Sequence, residues 1–163
     1  MTSVAVVNQK GGVGKTTVTL GLAEAAAAFG LRVLVVDLDP QANASTGLGV
    51  WGAHPTIDDV LSEARAGAAL EAVTSSNWPD EGLRPDLIPG SHLLAAREPQ
   101  MISDPLGAQD RLKLALSGTR YDLTLIDCPP SLGLLCVNGL FAADKALIVT
   151  EPAAWAADGV DLM

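Results

Sequence analysis

A chain of 163 residues with a formal net charge of −9 and an isoelectric point near 4.4 is long enough for one well-buried core. It is too acidic to hold nucleic acid by overall charge, and before residue 60 its basic side chains are Lys10, Lys15 and Arg32 alone. No basic stripe with interleaved aromatics is present, and no apolar stretch reaches membrane-spanning length.

The apolar run Val4–Val7 predicts a first strand, and Lys10-Gly11-Gly12-Val13-Gly14-Lys15-Thr16-Thr17 follows it. A helix is expected from Lys15 to Phe29, stopped by Gly30. Strand, glycine loop and helix in that order are what a phosphate-binding loop requires. Glycines let backbone N–H groups curl around an anion, and the helix start adds its positive end to the same place. Lys15 then brings a point charge to the β- and γ-phosphates. The Thr16 hydroxyl holds Mg²⁺, and Thr17 is placed for the α-phosphate. The loop departs from the usual pattern in two ways: Gln9 stands where a glycine is normally found, and Lys10 adds a second lysine at the start.

Residues 32–37 form a β-rich apolar run of the kind expected of a parallel strand buried on both faces. It ends in Asp37-Leu38-Asp39-Pro40-Gln41, so two carboxylates lie at the C-terminal edge, where open α/β sheets bind ligands. In a phosphate site such groups hold hydrated Mg²⁺ or orient the attacking water. Residues 47–55 read as loop. Thr56 caps a helix expected to run to Ala66, with Asp58 and Asp59 in its first turn.

Residues 75–86 are rich in turn formers and read as irregular. A short strand is expected at 87–90, and helices at 91–98 and 105–117. The strand Leu123–Asp127 ends in a carboxylate suited to accept a hydrogen bond from water on Mg²⁺. Pro129 and Pro130 then forbid continuation of the ladder. A helix at 132–141, a strand at 145–150 and the start of a further helix at 155–163 complete the pattern. Strands alternating with helices predict a mostly parallel sheet covered on both faces, joined by right-handed crossovers. The whole of residues 1–163 reads as a single domain, incomplete at its C-terminal end.

Residues 10–17, 35–45 and 121–135 together resemble the deviant Walker A, switch I and switch II segments of the ParA/Soj/MinD family of P-loop ATPases. The resemblance runs to about Pro152, although residues 51–120 match loosely. It implies a P-loop NTPase fold that binds ATP and Mg²⁺ and hydrolyses ATP slowly between two subunits. It implies that Lys10 reaches the nucleotide of the partner subunit, that Asp39 positions the attacking water, and that Asp37 lies near the metal's water shell. Asn8 and Gln9 would contact phosphate or the dimer mate. The partners implied are a second copy, a ParB-like centromere-binding protein and non-specific DNA, in a cytoplasmic, nucleoid-associated setting. Asp39-Pro40-Gln41 and Cys128-Pro129-Pro130-Ser131 look more like the chromosome or plasmid partition branch than the MinD-like division-site branch. A non-catalytic or defective ATP-binding fragment is the alternative of another class.

The remaining chemistry-bearing residues carry plain expectations. Cys128 and Cys136 lack metal-site spacing and read as free buried thiols of a reducing compartment. No signal-peptide pattern precedes the first strand. His54 and His92 read as solvated loop residues, and Arg84 and Arg97 as surface arginines. Trp51, Trp78 and Trp155 read as core or loop packing, not as a stacking platform.

Overall fold

The computed structural model describes residues 2–78, 82–103 and 107–151. Their elements are β1 (Thr2–Val7), α1 (Lys15–Ala28), β2 (Val33–Asp37), α2 (Asn43–Gly47), α3 (Ile57–Glu63), β3 (Thr74–Ser75) and β4 (Asp86–Ile88). Then come α4 (Leu94–Ile102), α5 (Arg111–Ala115), β5 (Leu123–Asp127), α6 (Leu134–Ala142) and β6 (Lys145–Ile148). A 3₁₀ turn at Ala68–Glu71 lies between α3 and β3.

The strands form one sheet in the order β3-β4-β2-β5-β1-β6. Every pairing is parallel except that of the two-residue β3 with β4. β2 is buried along its whole length, as a strand covered on both faces must be. Its side chains alternate. Val33 and Val35 join Ala23 and Ala27 of α1, while Leu34 and Val36 join Ile57 and Leu61 of α3, Met101 of α4 and Leu135 of α6. The two hydrophobic layers therefore come from one apolar run read with period two.

Sheet order does the decisive work for function. β5 is far from β1 and β2 in sequence, yet it inserts between them. Its register sets Asp127 beside both Val6 and Asp37. The glycine loop after β1, the acidic turn after β2 and the proline turn after β5 thus leave adjacent strands at one edge.

Several boundaries differ from expectation for local reasons. Residues 43–47 form the short helix α2, which the turn-like composition hides. α3 stops at Glu63 because Ala64 takes a left-handed conformation, φ 48°. Its N-terminus is the expected one: Thr56 and Asp59 make a reciprocal capping box. α4 begins three residues later than the sequence indicates, after the Ser91 hydroxyl has accepted the Leu93 N–H in a local turn, and it continues through Pro99 to Ile102. α5 covers only Arg111–Ala115, and α6 starts at Leu134 because Gly133 is extended. β6 ends at Ile148 rather than residue 150. The expected helix at 155–163, with Trp155, lies outside the described residues, as do the first residues of the one expected at 105–117.

Candidate phosphate-binding site

The loop between β1 and α1 needs two of its glycines for conformation. Gly12 has φ 77° and Gly14 φ 92°. A Cβ at either would touch nothing within 4 Å, so backbone sterics alone exclude other residues there. The Gly14 carbonyl accepts the first helical bond, from Val18 N at 2.9 Å. The loop borders a cleft of about 320 Å³, shared with Lys15, Thr16, Thr17, Asp39 and Pro130.

Lys15 is 7% exposed. Among the described residues its ammonium makes no ion pair, and its one hydrogen bond is to Lys10 O at 3.4 Å. The Asp127 carboxylate compensates it only through space, and a buried ammonium without a direct ion pair is costly. An anion in the cleft would relieve that cost.

Beneath the cleft, Asp127 is 1% exposed and accepts hydrogen bonds from Thr16 Oγ1 at 2.7 Å and Thr19 Oγ1 at 3.1 Å. Burial pushes its carboxyl above the ordinary range, while the two hydroxyls pull it back. Asp37, on the neighbouring strand, accepts Ser45 N and Ser45 Oγ, each at 2.7 Å, and Asp39 N at 3.4 Å. Burial outweighs these bonds and pushes Asp37 up to about 7, with the Asp127 charge adding to the rise. Asp39 accepts Gln41 N at 2.9 Å, an Asx turn that holds its carboxylate at the rim.

The structure therefore gathers Gly11, Gly12, Gly14, Lys15, Thr16, Thr17 and Asp39 on one cleft, with Asp37 and Asp127 under it. Gln9, Lys10 and Val13 do not line that cleft. Lys10 is 59% exposed at its side chain and ion-pairs with Glu151 of its own chain. Its N–H donates to Asn8 Oδ1 at 2.7 Å, and Asn8 Nδ2 in turn donates to Val149 O at 2.5 Å.

Among the described residues no three His, Cys, Asp or Glu side chains cluster as a metal cage. Mg²⁺ keeps waters and takes phosphate oxygens with few protein ligands. The residues present fit such an ion: a loop hydroxyl, Thr16, beside two buried carboxylates that make no direct ion pair among the described residues.

Three contributors escape a reading of the sequence. Ser45 holds Asp37 from eight residues away and accepts Gly90 N at 2.8 Å. At Gly90 a Cβ would stand 2.7 Å from Asp37 Cγ, so glycine is required by close approach. Thr19 could have been found, since it lies one helical turn from Lys15 and Thr16 on the same face.

Elsewhere Arg97 is committed to a structural pair with Asp58, and His54 and His92 are exposed. Arg84 borders a surface hollow away from the loop. Trp78 packs and donates Nε1–H to Gly47 O at 2.6 Å, but Trp51 is 72% exposed, contrary to its expected packing. Cys128 and Cys136 are free and buried, as expected. No helix among the described residues is long and apolar enough to cross a membrane.

Fold and loop together define a P-loop phosphate-binding domain: a parallel sheet with a glycine cradle, lysine and threonine after its first strand. A family described as AAA domain matches residues 1–163. The sporulation initiation inhibitor protein Soj of Bacillus subtilis is 39% identical over 162 residues, covering 96% of this chain and 61% of that protein. The chromosome partitioning protein ParA of Caulobacter vibrioides is 40% identical over 164 residues, covering 96% and 58%. Among solved structures, the cobyrinic acid a,c-diamide synthase of Mycobacterium smegmatis with bound ATP analog and magnesium superposes with a TM-score of 0.84. It is 35% identical and covers 99% of this chain and 66% of that one. An ATP complex of a McdA variant from Cyanothece gives a TM-score of 0.81 at 26% identity, covering 94% and 58%. The chain belongs to the AAA-domain family matched here, in its ParA/Soj group of P-loop proteins. It spans 58–61% of the length of these curated relatives.

Proposed function

We propose that this chain is the phosphate-binding portion of a ParA-like ATPase that partitions chromosomal or plasmid DNA. The observation that carries the reading is the buried Lys15 ammonium in a glycine cradle, without a direct ion pair among the described residues, and Thr16 fastened to the buried carboxylate of Asp127 beside it. Identity near 40% to Soj and ParA supports the partition branch. Structural neighbours solved with an ATP analog and magnesium, or with ATP, support the nucleotide.

In this reading ATP supplies the transferable phosphoryl group, and Mg²⁺ neutralises charge on it. The loop N–H groups and Lys15 orient the phosphates, and Thr17 contacts the α-phosphate. Thr16, which bonds Asp127 here, would hold Mg²⁺ through its hydroxyl, with Asp127 and Asp37 as the carboxylates that would steady it. Asp39 orients the attacking water. Lys10, paired with Glu151 here, would reach the nucleotide phosphate of a second copy and so couple hydrolysis to the dimer. Catalysis of this kind is positioning and electrostatics, which suits a slow timer. A ParB-like protein and non-specific DNA are the partners proposed for the longer protein, in the cytoplasm.

The test is Mg²⁺-dependent ATP binding and turnover by residues 1–163 alongside three variants. Lys15→Ala should abolish both. Lys10→Ala should lose turnover and keep measurable ATP affinity. Asp39→Ala should retain an ATP-bound dimer on size-exclusion chromatography. Turnover that survives Lys15→Ala would sink the reading.

A further inference from the structure

The turn between Asp127 and α6 is anchored at both ends, and its second anchor comes from a different helix. α6 has no cap of its own: its N-cap residue is Gly133, and no acid lies in its first turn. Glu98 on α4 fills that role by accepting the Leu135 N–H through Oε1 at 3.1 Å. A charge-assisted bond to a helix start also satisfies the positive end of the dipole. The carboxylate lies so close over the backbone that a Cβ at Gly133 would stand 2.9 Å from Glu98 Cδ. Gly133 has φ −72°, which any residue adopts, so a side chain there would act by pushing the Glu98 carboxylate aside.

The residue before Glu98 is equally committed. Arg97 donates from Nε and Nη2 to the two oxygens of Asp58, both at 3.0 Å, and the Asp58 side chain is 5% exposed. Adjacent residues of α4 therefore tie α3 on one side and α6 on the other. The body of α6 is held independently, since the buried Asn138 accepts Leu112 N at 3.1 Å and donates to Ala108 O at 2.8 Å. Glu98 is thus free to act on the first turn of α6 alone. The turn it controls includes Pro130, which borders the phosphate cleft 3.9 Å from where a Gly11 Cβ would sit.

We propose that Glu98 is a positioning residue: its carboxylate fixes the start of α6 and so sets residues 129–133 against the phosphate cleft. This rests on the nucleotide reading above. Glu98→Ala removes the acceptor, whereas Glu98→Gln keeps an oxygen there and removes only the charge.

The experiment measures amide hydrogen exchange of residues 131–136 in wild type and both variants, with and without Mg-ATP, together with turnover. In Glu98→Ala, exchange of this segment should speed about tenfold while that of β2 and β5 stays unchanged. Mg-ATP should no longer protect residues 131–133, and kcat should fall about tenfold with KM within twofold. Glu98→Gln should recover most of each effect. Unchanged exchange in Glu98→Ala would overturn the proposal, as would a loss spread evenly over the whole sheet, because that marks a purely structural role. A wild-type chain without turnover would count against the ATPase reading, while exchange in the nucleotide-free protein would still decide whether Glu98 holds the turn.

Discussion

The two ends of the β2–β5 pair carry the same residue type in opposite circumstances. Where the strands begin, Asp122 is exposed and faces Arg32, whose Nε lies 3.2 Å away, and the hydrogen bonds from Arg32 hold its carboxyl below the ordinary range. Where they end, Asp37 and Asp127 are buried side by side with no direct ion pair among the described residues, and burial raises both carboxyls although the Lys15 charge pulls Asp127 partly back. Water and an arginine make the first arrangement nearly costless. The second holds two buried acids against the single nearby charge of Lys15, so the fold leaves them only partly compensated. It persists because threonine and serine hydroxyls supply hydrogen bonds, and it suits a site completed by a divalent cation. A strongly perturbed carboxylic acid beside a cleft is a mark of function, and of these two aspartate arrangements only the buried one carries it.

The comparison can be broken most forcefully at Asp37. Its carboxyl sits near 7 in the folded chain and near 3.8 unfolded, so the folded state binds the extra proton. The stability of the metal-free chain should therefore fall as pH rises from about 4 to about 7, by up to the order of 4 kcal/mol from this group. Urea unfolding at both ends of that range should show a smaller drop for Asp37→Asn than for wild type. Equal drops would mean that Asp37 is not the buried acid described.

A steric break comes next. Gly90→Ala pushes a methyl group toward the Asp37 carboxylate, where it has no room. It should cost roughly 1–3 kcal/mol and weaken Mg²⁺ dependence. A thermal melt and a Mg²⁺ titration of nucleotide binding would check both. Substitution at the other end should do least. Arg32→Ala separates an exposed pair, so its unfolding midpoint should stay close to wild type, and any shift should vanish in about 0.5 M salt. A large, salt-resistant shift there would erase the contrast between the two ends.

Much of this arrangement is legible in local patterns. Lys10–Thr17 announces a phosphate loop because backbone conformation at Gly12 and Gly14 admits only glycine. β2 and β5 announce themselves as buried strands, and each shows its terminal acid. The capping box at Thr56 and Asp59 follows from side-chain chemistry three residues apart. Ser45, Gly90 and Glu98 leave no such trace. Their partners are 8, 53 and 37 residues away in the chain, at Asp37, Asp37 and Leu135. Nothing in the composition around them distinguishes them from turn or surface residues. α2 is hidden for the same reason, since Asn43-Ala44-Ser45-Thr46-Gly47 has the makeup of a turn and becomes helical where Ala44 and Ser45 are buried against β2.

By itself, then, the sequence determined the phosphate loop, the alternation of strands and helices, and the acids that end β2 and β5. Each of these is written in residues close enough to interact through one strand, one turn or one helix face. Only the tertiary structure decided that β5 would lie between β1 and β2, which is what brings Asp37 and Asp127 together under the loop. It alone decided that Lys10 would rest on Glu151 and that Glu98 would cap α6. Those choices depend on which distant surfaces bury each other best, and that is settled only when the whole sheet closes.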